Sequence, residues 1–273
     1  MNGLKKDKMI EACNQVLAEV GRATVRQLFY QLVVMGILKN TKNQYTYLSK
    51  VLTKARKDGL VYWTQIVDAT REPQGNYMVE DLKSYIERLP SYKQWIWNNQ
   101  KYYIEIWLEK EALSRIVMDA LEEWDNRIWI QPMRGYTSYT CKKKAENRFY
   151  DHDNIILLIF SDFDPSGKDL ARDVRQFFEE SGTNVECVRI ALTRKQVDKY
   201  NLPEFPAKKS DPRTAKDPDK IQVELDALRP DILKQIVQNA VKKFINQKEY
   251  DKTVESEKEI QKKIDDVLNG INQ

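Results

Sequence analysis

The chain has 273 residues, long enough for two domains, and its 45 Lys and Arg against 41 Asp and Glu leave a net charge of +4. That charge is too small to imply a nucleic-acid partner by itself, so its distribution has to decide. One histidine and three scattered cysteines (Cys13, Cys141, Cys187) exclude a His-rich metal site, a histidine triad and a disulfide scaffold, and the longest apolar run, six residues, is too short for a membrane span.

The first helix is predicted from the stripe Met9, Ile10, Cys13, Val16, Leu17 and Val20, with Gly21 as its stop. Thr24 caps a second helix that turns Val25, Leu28, Phe29, Leu32 and Val33 inward. Thr41 or Asn43 starts a third, with Leu48, Val51, Leu52 and Ala55 inward and Gly59 after it. Leu60 to Val67 reads as a strand and Arg71 to Asn76 as a turn, which completes the order of a winged helix-turn-helix. Residues 1–85 are therefore expected to form a winged-helix DNA-binding domain. Residues 86–100 are expected to be a linker, part of a helical and Trp/Tyr-rich connection that begins near residue 80.

From residue 101 the pattern changes. Strands are predicted at Tyr103 to Leu108, Arg127 to Gln131, Ile155 to Phe160 and Val185 to Ala191. Helices alternate with them at Glu111 to Trp124, Ser138 to Phe149 and Gly167 to Glu180. The fold class is α/β with a mostly parallel sheet over residues 101–273. Residues 202 to 219 carry four prolines and read as loop. A helical C-terminal extension follows, from Pro230 to Asn246 and from Thr253 to Leu268.

The chemistry concentrates where strands end. Ile155 to Phe160 is a short apolar run that closes in Asp162 and Asp164, with Pro165 and Gly167 opening a helix. Glu109 occupies a comparable position after Leu108. In a parallel sheet such ends share one edge, so Glu109, Asp162 and Asp164 can converge as hard oxygen ligands for Mg²⁺. Glu111 is a rival to Glu109, although a helix's first turn accounts for an acid there. On the second helix Tyr30 falls about 130° from the middle of the apolar arc, with Arg26 beside it. That pair suits a nucleophile with an arginine partner, or a plain surface aromatic. Tyr47, Lys50, Lys54 and Lys57 share one face of the third helix and suit DNA phosphate contacts, or a solvated face. His152 reads as a solvated loop residue. Ser166-Gly167-Lys168 lacks the upstream glycine of a phosphate-binding loop, so no nucleotide site is expected.

Three motifs in order resemble the A subunit of topoisomerase VI and its meiotic double-strand-break relatives, and the short Mini-A type matches best in size. They are Thr24-Val25-Arg26-Gln27-Leu28-Phe29-Tyr30, Leu108-Glu109-Lys110-Glu111-Ala112 and Asp162-Phe163-Asp164-Pro165-Ser166-Gly167. The resemblance implies a Toprim domain joined to the winged helix, in a type IIB topoisomerase A subunit-like enzyme that cleaves double-stranded DNA. Tyr30 would attack a phosphodiester, aided by Arg26, with Mg²⁺ on the three carboxylates. It further implies a homodimer in which the tyrosine of one subunit serves the metal site of the other. A separate ATPase subunit would be a further partner. The expected setting is cytoplasmic and nucleoid-associated, with no secretion signal. Arg134-Gly135-Tyr136-Thr137 departs from the family pattern, with Thr137 where proline is usual. Two other readings stay open: a Toprim nuclease that cuts by hydrolysis, and a non-catalytic DNA-binding protein.

Overall fold

The computed structural model describes residues 2–67, 91–208, 211–215 and 217–271. Three helices come first: α1 (Asn2–Val20), α2 (Val25–Val34) and α3 (Lys42–Lys57). Their caps are local and strong. Thr24 and Gln27 form a reciprocal capping box on α2, and the Thr41 hydroxyl accepts from Gln44 N–H to start α3. Met9, Leu17, Leu28, Leu32, Leu48 and Leu52 are fully buried and knit the three helices together.

Leu60 to Val67 is not a strand. Val61 and Ile66 enter the core, while Leu60 and Tyr62 are 53% and 77% exposed. Anchors five residues apart do not follow the two-residue period of a pleat. The segment instead makes a short 3-10 turn, Trp63–Gln65, and one parallel bridge from Ile66 to Ala23. The turn expected at Arg71 to Asn76 and the boundary near residue 85 lie outside the described residues.

The second region is α/β, as expected. Its sheet contains β1 (Tyr103–Leu108), β2 (Trp129–Pro132), β3 (Ile155–Phe160) and β4 (Val185–Ala191), in the order β2-β1-β3-β4 with every pair parallel. The intervening helices are α4 (Ser114–Ala120), α5 (Tyr139–Phe149) and α6 (Pro165–Glu180), followed by α7 (Arg194–Lys199), which the sequence reading missed. The helix expected over Glu111 to Trp124 is broken: 3-10 turns at Glu111–Leu113 and Glu122–Trp124 flank α4. The loop expected over 202–219 contains β5 (Phe205–Pro206), which pairs antiparallel with β6 (Ile221–Gln222). Two further helices, α8 (Pro230–Lys242) and α9 (Gln247–Ile271), close the described chain.

Every residue of β1 and β3 is buried, which is why both read as unbroken apolar runs. Trp107 packs edge-on against Phe178 of α6, and Tyr103 against Phe149 of α5. Ile104 and Ile106 point to the opposite face and are equally buried; α4 and α8, which pack together, cover that side. One carboxylate lies inside this core. Glu105 is fully buried and accepts hydrogen bonds from Tyr103 Oη (2.9 Å), Trp107 Nε1 (3.0 Å) and Arg148 Nε and Nη2 (2.6 and 2.9 Å). α9 packs back on its own chain, where Glu257 takes Arg127 Nη1 and Nη2, each at 2.8 Å. No helix among the described residues is long and apolar enough to cross a membrane.

From β1 the chain passes to β2 on one side, then returns to β3 on the other. The carboxyl ends of β1 and β3 thus flank the point where the strand order reverses, the usual crevice of an open parallel sheet.

Candidate active site

Two motifs meet at that crevice. Leu108 and Phe160 are in register, and Glu109 N–H donates to Phe160 O at 2.8 Å. Asp162 N–H in turn donates to Glu109 Oε2 at 2.9 Å. The next turn is built by Asp164, whose Oδ1 accepts from Gly167 N–H at 2.6 Å and caps α6, with Pro165 in its first turn. Gly167 is there because nothing larger fits: a Cβ would lie 2.2 Å from Asp162 O. Ser161 Oγ donates to Gly167 O at 2.9 Å and ties the helix start to the strand end.

A third segment completes the edge. Val223 and Phe163 form an antiparallel bridge, with N–H to O distances of 3.0 and 2.8 Å in the two directions. This brings Leu225 N–H to 2.7 Å from Asp162 Oδ1 and carries in Glu224 and Asp226. Asp226 is fully buried, and neither of its oxygens has a hydrogen-bond partner. Its neighbour is Lys110, whose ammonium lies 3.0 Å from Asp226 Oδ2 and 3.0 Å from Asp162 Oδ2 and also contacts Glu224. The Asp226 contact is ionic, lacking hydrogen-bond alignment. Behind the loop, Arg189 Nη2 donates to Asp162 O at 2.9 Å.

Negative charge is crowded here. Burial, then the neighbouring Asp162, pushes Glu109 up to about 7. Burial also raises Asp162, against the pull of Lys110 and the Leu225 N–H. Burial works against the Lys110 charge, but Asp226 and Asp162 outweigh it and hold the ammonium above its ordinary value.

Tyr30 sits beside this edge. The sequence places it off the apolar arc of α2, and an exposed position would follow; in the structure it is only 7% exposed. Phe29 packs edge-on against its ring, and α2 packs on the 3-10 turn Leu225–Ala227. Gln31 Nε2 donates to Ala227 O at 3.3 Å, and Arg26 lies 3.5 Å from Glu224. Tyr30 lies in a cleft of about 180 Å³ whose walls include Arg26, Lys42 and Glu224. Burial pushes its phenol up to about 12; Arg26 opposes this, and Asp226 and Asp162 add to it.

On α3, Lys50, Lys54 and Lys57 are exposed while Tyr47 packs partly against the core. Tyr47, Lys50 and Lys54 line a cleft of about 440 Å³ that also includes Lys6 and Asp7 of α1. Tyr136 of the departing segment donates to Asp169 Oδ2 at 2.7 Å, and Thr137 is buried with its hydroxyl unpartnered. His152 is not simply solvated: its ring stacks on Tyr103 at 4.2 Å, with Trp95 at 6.0 Å.

The sequence reading missed Lys110, Arg189, Glu224 and Asp226 as members of the site. A signal existed for two of them. Val223-Glu224-Leu225-Asp226-Ala227 alternates carboxylates with apolar residues directly after a proline-rich loop. No protein-family model matches the chain, and no curated protein matches it.

Glu109, Asp162 and Asp164 share one edge, but no group of three or more His, Cys, Asp or Glu side chains among the described residues is gathered into a formed metal site. The donor chemistry nevertheless suits a hard divalent cation: the groups are carboxylates, and Asp226 Oδ1 is buried without a partner.

Proposed function

We propose that the chain is a winged-helix and Toprim protein that cleaves DNA by transesterification through Tyr30, as a topoisomerase VI A subunit-like enzyme. One observation carries the reading: α2, which bears Tyr30, is tied through Gln31 to the segment that also anchors Asp162. A candidate nucleophile and a carboxylate edge at a sheet switch point thus lie side by side.

In this reading Glu109, Asp162 and Asp164 would hold Mg²⁺, and the ion would offset charge on the phosphodiester. Arg26 and Lys42 line the entrance to Tyr30 and orient the phosphate there. Tyr30 Oη bonds to phosphorus and a deoxyribose oxygen leaves. Its phenol is neutral at pH 7, so the proton must depart as the bond forms. The exposed lysines of α3 suit contacts to flanking DNA. A homodimer would cut both strands, and an ATPase subunit would be a separate chain.

The raised phenol and its burial favour a second reading, in which metal-activated water cuts and Tyr30 only lines the site. Labelled duplex DNA, Mg²⁺ and denaturing gels separate the two. Transesterification predicts a protein–DNA adduct with wild type that Tyr30→Phe and Glu109→Ala both abolish. Cutting by Tyr30→Phe without any adduct selects hydrolysis. Salt-sensitive binding with no cutting at all rejects both.

A further inference from the structure

We infer that Lys110 is a built-in cation that takes the place of a second metal ion at the acidic edge, so that each chain binds one divalent ion and not two. This rests on the function proposed above, which puts Mg²⁺ on Glu109, Asp162 and Asp164. Lys110 belongs to a second group of acids, made of Asp162, Glu224 and Asp226, and Asp162 is common to both.

The placement begins with the backbone. Lys110 follows Glu109 directly and is extended, with φ −107° and ψ 107°, a geometry that turns consecutive side chains to opposite sides. The two side chains therefore meet Asp162 at different atoms. Glu109 Oε2 accepts from its N–H at 2.9 Å, and the Lys110 ammonium lies 3.0 Å from its Oδ2. The other two acids arrive from far along the chain. Their segment is fixed to the strand end by the Val223–Phe163 bridge and by Leu225 N–H, which donates to Asp162 Oδ1 at 2.7 Å. Asp226 Oδ2 then lies 3.0 Å from the ammonium, and Glu224 also contacts it.

Burial explains why a cation must reside there. Asp226 is fully buried, its Oδ1 has no partner, and among the described residues Lys110 is the cation paired with it. A carboxylate buried without a counter-ion is strongly destabilising, so an ammonium or a metal ion has to fill the position. Three carboxylates around one point, one of them with a spare buried oxygen, are also the hard donor set of a small divalent ion. The lysine fills that set with a tethered single charge, present whatever the metal concentration. What is left for a free ion is the Glu109 and Asp164 side of Asp162.

Mn²⁺ titration followed by electron paramagnetic resonance counts bound ions without DNA or cleavage, Mn²⁺ standing in for Mg²⁺ on oxygen ligands. Wild type should bind one ion per chain and Lys110→Ala two. Lys110→Ala/Asp226→Asn, which also removes the acid that the lysine covers, should return to one. Two ions on wild type, one on Lys110→Ala or two on the double variant each overturn the inference and leave the proposed function standing. No ion on wild type overturns the inference together with the metal-dependent reading. Thermal melting gives a second readout. In chelator Lys110→Ala should melt below wild type, and saturating Mn²⁺ should raise its melting temperature by more than it raises that of wild type. An equal or smaller rise, or a variant that stays unfolded at saturating Mn²⁺, overturns the inference.

Discussion

Replacing Glu109 by glutamine should stabilise the metal-free protein at alkaline pH. Burial and the Asp162 charge push this carboxyl from 4.5 to about 7. The folded state then keeps a proton that the unfolded chain has released, so stability falls as pH rises from 4.5 through 7. At about 1.4 kcal/mol per tenfold change in proton affinity, the cost at pH 8 is roughly 3 kcal/mol, an upper figure because the site can relax. Glu109→Gln removes the charge and keeps an oxygen for Asp162 N–H. Urea unfolding in a chelator should show the variant roughly 1–3 kcal/mol more stable at pH 8, with the gap shrinking to under about 1 kcal/mol at pH 5. Mg²⁺ should narrow or reverse the gap, since wild type offers all three carboxylates and the variant only Asp162 and Asp164. A variant no more stable than wild type at pH 8 would refute the claim that Glu109 is held in an unfavourable charge state.

Three other outcomes are expected. Arg148→Met leaves the buried Glu105 carboxylate with two neutral donors and no counter-ion, and should cost about 3–5 kcal/mol by urea unfolding. Gly167→Ala forces a methyl group against Asp162 O, so thermal unfolding should report a loss of about 1–3 kcal/mol, and calorimetry should show Mg²⁺ binding weakened. His152 is pulled below its usual 6.5, first by burial, so its stacked neutral form contributes stability above that value that is lost as pH falls through the folded value. His152→Phe keeps the stack, so its melting temperature should fall less than the parent's between pH 7 and pH 5; Glu109→Gln is the proper background, because Glu109 titrates oppositely in this window.

What was legible in the sequence was local. Thr24, Ser138 and Asp164 each cap the helix they were expected to start, and of the two candidates for α3 Thr41 is the cap, because a cap depends on neighbours three residues away. β1 and β3 match their apolar runs residue for residue, since strands buried on both faces leave no alternation to misread. β2 was expected to start two residues early and end one short; an edge strand with half-exposed side chains has no such signature. Tyr30 looked exposed because a helical wheel sees one helix, while the walls around it include Tyr45 of α3 and Glu224 of the sheet region. Asp226 and Glu224 went unnoticed for the same reason: Leu225 meets Asp162 across 63 positions of chain.

The charge at the edge has a consequence for the order of binding. Among the described residues at this edge and the Tyr30 entrance, five carboxylates (Glu109, Asp162, Asp164, Glu224, Asp226) face four cations (Lys110, Arg26, Lys42, Arg189), a formal balance of −1. Lys110 is already committed to three of the acids, so it cannot also receive a phosphate without releasing them. A DNA phosphate entering beside Tyr30 adds one more negative charge where water is scarce and repulsion is strong. A divalent cation removes the formal excess, so Mg²⁺ should bind first and DNA second. By linkage, Mg²⁺ should then tighten DNA binding, and DNA should tighten Mg²⁺ binding by the same factor. Fluorescence anisotropy of a labelled duplex with Tyr30→Phe, which cannot form the adduct, measures the first half of that cycle. DNA affinity that falls with Mg²⁺ as it does at matched ionic strength with monovalent salt would mean that the acidic edge is no part of the DNA site.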